Sequence, residues 1–235
     1  MAVDIVPELL EKIQKDFNAS FSSDPTIKRI GEMIANGTAT YADANNYAIR
    51  TGEILANAFK RHISGDILPD GRMYFNIADR ILNPTLDNNH ELIAKASAQI
   101  QTALNHAAGM GIKGLEAPLN TNRVTGLINR ISREENFDAV SWLLDEPVIN
   151  FSQSVVNDTI KLNADFHAQS GLMPTIIRIA NSDACEWCQE VAKEYKYPNV
   201  PVDVWRRHER CKCAIIYTPA KGKAETLTGT GKSWR

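Results

Sequence analysis

Helical periodicity over roughly the first 170 residues is the strongest constraint on how this chain can fold. Apolar side chains recur there at three- and four-residue steps, as an amphipathic helix requires, and Leu9, Ile13 and Phe17 form the first such stripe. Asp24-Pro25 is typical of a helix start, with a capping residue followed by proline at the first helical position. The pattern predicts a mainly α fold in which residues 1–171 form a multi-helix body.

The later part of this body has the same helical pattern of apolar residues. Turn-rich residues 64–72 separate its two halves. Further helices are predicted to start at Thr40 and after Asn83-Pro84, and to span Asn122 to Arg133 and Pro147 to His167.

The sequence pattern changes after residue 171. Short β-branched runs at residues 175–179 and 214–217 predict paired strands, which frame a short helix from Glu186 to Glu194. We therefore expect a small α+β module at residues 172–219. Residues 220–235 have no hydrophobic period and are predicted to form a flexible tail.

Composition describes a soluble globular protein, with 43% hydrophobic and 23% charged residues. The net charge of −2 gives no general attraction to nucleic acid or to an anionic membrane. We find no signal-peptide pattern and no apolar run long enough for a membrane span, so we expect no membrane partner. A reducing compartment is the corresponding expectation, and clustered cysteines there bind metal more often than they form disulfides.

All four cysteines lie within residues 185–213, together with one histidine. The pair Cys185-x-x-Cys188 is followed, after 19 intervening residues, by His208-x-x-Cys211-x-Cys213. Two ligands, a spacer and a second ligand group are the general arrangement of a structural zinc site. Five donors compete for four positions in a tetrahedral site, and the sequence does not decide which one is left out.

Two other interpretations of the cysteines stay open, a disulfide framework and buried free thiols. If zinc binds, an excess of thiolate donors favours a closed structural site over a catalytic one, which would keep a position for water. No catalytic residue can be assigned, and the chain is predicted not to be an enzyme. A zinc ion would instead stabilise a module too small to build a good core of its own.

Basic residues surround the second ligand group. They are Arg206, Arg207, Arg210 and Lys212, and Glu209 is the only acidic residue among them. They could form an ordinary solvated face, or a patch that contacts phosphate groups or a partner protein.

Several distinctive motifs occur in the last third of the chain. They are NFS at 150–152, VVNDT at 155–159, NADF at 163–166, LMPTIIR at 172–178, CEWC at 185–188 and WRRHERCKC at 205–213. Together these motifs resemble those of tailed-phage minor head proteins of the Mu-F-type head morphogenesis family. The resemblance covers about residues 148–220.

This resemblance implies a structural minor capsid protein that acts in head assembly. Its partners would be the phage portal protein, the major capsid protein or both, with no small-molecule substrate. The protein would be made in the host bacterial cytoplasm and end at the portal vertex or in the capsid interior of the virion. The alternative is a nucleic-acid-binding zinc protein that contacts packaged DNA through the basic residues at 206–212.

Overall fold

The structure, a computed structural model, describes residues 4–219, so the predicted tail at 220–235 lies outside the described residues. The described part has seven α-helices and a three-stranded sheet near its C-terminal end, which confirms the predicted fold class. The helices are α1 (Val6–Ser23), α2 (Pro25–Ala35), α3 (Tyr41–His62), α4 (Phe75–Ala107), α5 (Thr121–Arg133), α6 (Glu146–Gln169) and α7 (Glu186–Glu190). The strands are β1 (Thr175–Ile179), β2 (Glu194–Lys196) and β3 (Ala214–Thr218). None of the described helices has the length and apolar character that a membrane crossing needs.

Local capping explains where several helices begin. The Asp24 carboxylate accepts hydrogen bonds from the backbone N–H groups of Thr26 and Ile27, as the sequence predicted for the start of α2. At the start of α3, the side chains and backbones of Thr40 and Asp43 form a reciprocal capping box. These side chains satisfy N–H groups that have no partner inside the helix.

The predicted start of the fourth helix after Asn83-Pro84 is wrong, because α4 begins at Phe75 and continues through Pro84. Proline removes one backbone hydrogen bond, which normally ends or kinks a helix. Apolar side chains on both sides of the proline are buried in the core, so tertiary packing outweighs the local penalty.

Helices α3 and α6 form the central pair of the helical body, and each also packs against α4. Their close approach depends on Gly52 of α3. A Cβ atom at this position would lie 2.7 Å from Oγ of Ser152 and 2.9 Å from Cα of Ile149, both in α6. The Ser152 hydroxyl is itself held by Asn89 of α4 at 2.9 Å, so it cannot move without breaking a buried hydrogen bond.

The small sheet has the strand order β2-β1-β3, and both pairings are antiparallel. The predicted pairing of the two β-branched runs is thus observed, with Ile179 opposite Ala214 at one end. The predicted helix from Glu186 to Glu194 is too long, because α7 ends at Glu190 and residues 194–196 pair with β1 as β2.

The sheet shares one hydrophobic core with the helices. Strand β3 packs on α3 and α6, and Ile176, Ile216 and Tyr217 are buried among helical side chains. The Tyr217 ring packs edge-on against Tyr41 of α3 and stacks on buried His167 of α6. Residues 172–219 are therefore packed on the helical body.

Substituting Gly52 with alanine tests the close contact between α3 and α6. We expect Gly52→Ala to lower the free energy of unfolding by about 1–3 kcal/mol, because the new methyl group overlaps the α6 backbone. The measurement is urea denaturation followed by circular dichroism. Gly126→Ala is the matched control, since Gly126 is also helical and nothing lies within 4 Å of its added Cβ. The control should gain up to about 1 kcal/mol, and equal effects at both positions would contradict the packing argument.

Candidate metal centre

Strand pairing brings the two halves of the cysteine and histidine motif together. Strand β1 ends at Ile179 directly opposite the start of β3 at Ala214. The segment that leaves β1 carries Cys185 and Cys188, at and just inside the start of α7. The segment that enters β3 carries the second ligand group, so all five donors lie at one edge of the sheet.

The five side chains form two overlapping groups that could hold a metal ion. One group is Cys185, Cys188 and His208, the other is Cys188, Cys211 and Cys213, and in each the donor atoms lie within 4.8 Å of one another. Cys188 belongs to both groups. The structure thus brings together every metal ligand that the sequence predicted, and it leaves open which four would bind a single ion.

The distances fit a tetrahedral ion. Bonds of about 2.3 Å to sulfur place two sulfur ligands about 3.8 Å apart, and the Sγ atoms of Cys188 and Cys211 are 3.8 Å apart. Nε2 of His208 lies 3.0 Å from Sγ of Cys188 and 3.3 Å from Sγ of Cys185. Nε2 of His208 and the Sγ atoms of Cys185 and Cys188 could therefore contact one ion with small adjustments.

The histidine is also oriented as a metal ligand should be. Nδ1 of His208 lies 2.6 Å from the backbone carbonyl oxygen of Glu209, which can only accept a hydrogen bond. The proton is therefore assigned to Nδ1, and the lone pair of Nε2 points toward the sulfurs. Metal-binding histidines are typically fixed by this kind of hydrogen bond from the other ring nitrogen.

A tight turn allows both Cys211 and Cys213 to face the cluster. Arg210 adopts the left-handed conformation with φ of 58°, and the N–H of Cys211 donates to the carbonyl of His208 at 3.2 Å. The N–H of Arg210 donates to the Glu146 carboxylate of α6 at 3.0 Å, which helps to hold the turn. This is the reversal that two ligands two residues apart require at the start of a strand.

Burial divides the donors into an inner and an outer group. Cys188, Cys211 and Cys213 are buried, whereas Cys185 and His208 are exposed. A hydrogen bond from Cys213, assisted by the nearby guanidinium groups of Arg207 and Arg178, lowers the pKa of Cys211. Burial raises the pKa of Cys188. The inner part of the cluster thus stabilises a thiolate at Cys211 even before any ion is considered.

Arg178 is a neighbour of the cluster that the sequence analysis did not identify as part of the site. It is only 2% exposed, and its Nη2 atom lies 3.6 Å from the sulfurs of both Cys188 and Cys211. Its Nη1 atom donates to the carbonyls of Val204 at 2.5 Å and Arg206 at 2.7 Å. The sequence signals were a single charged residue inside a β-branched strand and its place at the end of the motif at 172–178. Arg178 supplies positive charge to the sulfurs and holds the backbone that leads to His208.

The predicted basic patch is divided in the structure. Arg206, Arg210 and Lys212 are exposed, and Arg206 forms an ion pair with Asp203 at 2.9 Å. Arg207 instead turns into the protein, and burial lowers its pKa to about 10, which leaves it protonated at neutral pH. Arg207 therefore does not offer its guanidinium to a phosphate group at the surface.

Arg207 links the ligand loop, residues 206–213, to the helical body. Its Nη1 atom donates to the Cys213 carbonyl at 2.7 Å, and its Nη2 atom donates at 3.0 Å to the side-chain oxygens of Asn45 in α3 and Asn157 in α6. Buried Gln153 of α6 adds a hydrogen bond to the Cys211 carbonyl at 3.0 Å. The loop is thus fixed from both central helices.

Comparison with known proteins adds no family to this description. No family model matches the chain, and no curated protein and no solved structure is significantly similar to it.

Substituting Arg206 and Arg207 separately tests the inward orientation of the Arg207 side chain. Arg207→Ala removes a donor from three acceptors. The side-chain oxygen of Asn45 keeps a second donor, Gln153 at 3.3 Å, and each buried acceptor left without any donor costs about 1–3 kcal/mol. We expect a loss of about 3 kcal/mol or more in the free energy of unfolding, measured by urea denaturation. Arg206→Ala is the matched control and should change stability by less than about 0.5 kcal/mol, since its ion pair is exposed. A larger loss for Arg206→Ala than for Arg207→Ala would refute the assignment.

Proposed function

We propose that this chain is a non-enzymatic structural protein of a tailed-phage head, and that one zinc ion holds its C-terminal module. The observation that carries the structural role is the convergence of five soft donors where a tetrahedral ion needs four. A catalytic zinc keeps one position for water, whereas an excess of thiolate donors favours a closed site.

Zinc is the metal that suits these donors best. Thiolate and imidazole ligands in tetrahedral geometry are typical of structural zinc, whereas calcium and magnesium prefer oxygen donors. The partly buried cluster with positive Arg178 and Arg207 nearby also suits a negatively charged zinc–thiolate group.

The head-protein role is supported by the resemblance of residues 148–220 to the Mu-F-type family. The partners we propose are the portal protein, the major capsid protein or both, and the location is the portal vertex or the capsid interior. The motifs of this resemblance fall in α6, β1, the metal-ligand segments and the ligand loop. A helical body with a metal-held module docked on it suits a component that contributes shape and binding surface.

Binding of packaged DNA through residues 206–212 is the weaker alternative. The inward orientation of Arg207 and the ion pair of Arg206 leave Arg210 and Lys212 as the exposed basic residues without a strong acidic partner. Two such contacts would give weak binding with a shallow dependence on salt concentration.

Metal content tests the first part of the proposal. Protein purified in reducing buffer should contain one zinc ion per chain by elemental analysis. Cys188→Ser should abolish zinc binding, because Cys188 belongs to both groups of donors. Chelation should lower the unfolding temperature, as binding energy of a structural zinc contributes to folding. His106→Gln, at an exposed histidine outside the cluster, is the control and should keep its zinc. Absence of a bound transition metal, or a disulfide among the four cysteines, would refute the zinc site.

Assembly with head proteins tests the second part. The chain should be co-expressed with the tagged portal protein and, separately, with the major capsid protein encoded in the same genome. We expect one of them to retain zinc-loaded chain through size-exclusion chromatography. An unrelated protein carrying the same tag is the control. If neither head protein retains the zinc-loaded chain, the head-protein role fails while the zinc site stands.

A further inference from the structure

A cavity of about 270 Å³ lies where α5, α6 and residues 197–205 meet. Its polar and aromatic lining includes Arg123, Ser154, Asp158, Lys161, Tyr197 and Trp205. No step of the proposed structural role uses this cavity. The segment that forms one wall leads directly to Arg207 and His208.

Three charged side chains around the cavity are not paired. Arg123 and Lys161 are exposed, Asp158 is half-buried, and within residues 4–219 none of the three side chains forms a hydrogen bond or an ion pair. Burial raises the pKa of Asp158, and the attraction of Arg123, Lys161 and His90 only partly opposes this effect. Opposite charges that face one cavity without meeting leave room for a ligand that carries complementary groups.

The other polar groups of the lining are already engaged. The Ser154 hydroxyl donates to the carbonyl of Phe151 at 2.7 Å, and the Tyr197 hydroxyl donates to Asp165. Trp205 also lines the cavity, and its backbone carbonyl accepts a hydrogen bond from Asn157 at 3.4 Å. These hydrogen bonds hold the walls in place. The groups that remain available to a ligand are the carboxylate of Asp158, the cations of Arg123 and Lys161, and the aromatic residue Trp205.

We propose that this cavity binds a guanine nucleotide, either free or within a single strand. Asp158 accepts hydrogen bonds from the base, Arg123 and Lys161 contact its phosphate, and Trp205 stacks on its ring. A carboxylate has only acceptors, so it selects a base with adjacent N–H donors. Guanine presents two such donors, N1–H and N2–H, on its Watson–Crick edge, whereas adenine presents its amino group beside an acceptor.

The dimensions fit this ligand. A volume of about 270 Å³ is slightly below the usual range for ligand pockets, which run from about 300 to 1,000 Å³, so the cavity suits a base rather than a whole nucleotide. In the proposed arrangement the base occupies the cavity, and the sugar and phosphate extend toward the exposed Arg123 and Lys161. Stacking of a base on an aromatic side chain is a common contribution to single-strand binding and does not select a base. Selectivity is therefore assigned to Asp158.

Isothermal titration calorimetry of the zinc-loaded full chain tests the proposal. We expect GMP to bind about tenfold or more tightly than AMP, as a bidentate contact to a base edge typically discriminates. Asp158→Asn keeps the shape of the side chain and should remove this preference. Short oligothymidines that contain one guanine or one adenine show whether the guanine is bound within a single strand or as a free nucleotide.

Two lysine substitutions distinguish a specific phosphate contact from a general effect of the protein's positive charge. Lys161→Met should weaken GMP and AMP equally, whereas Lys28→Met, which removes an exposed lysine on α2, should change neither. Inorganic phosphate should compete poorly with GMP. Equal binding of GMP and AMP, an unchanged preference in a folded Asp158→Asn protein, or no binding of either GMP or the guanine oligonucleotide would overturn the proposal. These outcomes do not depend on head-protein partners, so the two proposals fail separately.

Discussion

Burial of two guanidinium groups beside the cysteine sulfurs is the interaction on which the C-terminal part of this structure depends. Arg178 contacts the sulfurs of Cys188 and Cys211, and Arg207 lies close enough to lower the pKa of Cys211. A charge buried without a partner costs several kcal/mol, so both arginines need negative charge nearby. The Cys211 thiolate supplies it, since the pKa of this thiol is lowered whereas that of Cys188 is raised. A metal ion at the candidate centre would keep the other bound sulfurs deprotonated as well. A metal ion bound there and the two arginines would therefore support each other.

This interdependence extends into the helical body. Arg207 reaches Asn45 of α3 and Asn157 of α6, the same two helices that meet at Gly52. Tyr217 of β3 continues the contact as part of the common core. An isolated zinc module folds when it binds metal, because it has little else to hold it. Here the ligand loop is also held by buried amides and by the core. We therefore expect metal loss to destabilise the packing of α3 on α6 as well as the loop.

The sequence predicted the parts of the fold that depend on local pattern. Apolar stripes located the helices, β-branched runs located β1 and β3, and cysteine spacing located the candidate centre. The predicted start of α4 was wrong because core packing on both sides of Pro84 outweighs the cost of a proline inside a helix. The predicted end of α7 was wrong because residues 194–196 pair with β1 as a strand instead of continuing the helix. The orientation of Arg207 was out of reach for a similar reason: its partner Asn45 lies 162 positions away in the chain.

The proposed nucleotide cavity and the metal centre share one segment of chain. Trp205 lines the cavity, Arg207 anchors the ligand loop, and Asn157 of α6 is hydrogen-bonded to both through one amide side chain. A ligand that changes the position of Trp205 therefore acts on the same amide that orients Arg207. Two sites are coupled when each ligand favours a state that the other also favours, and the effect is equal in both directions. Asn157 supplies a contact through which occupation of the cavity and retention of the metal would affect each other.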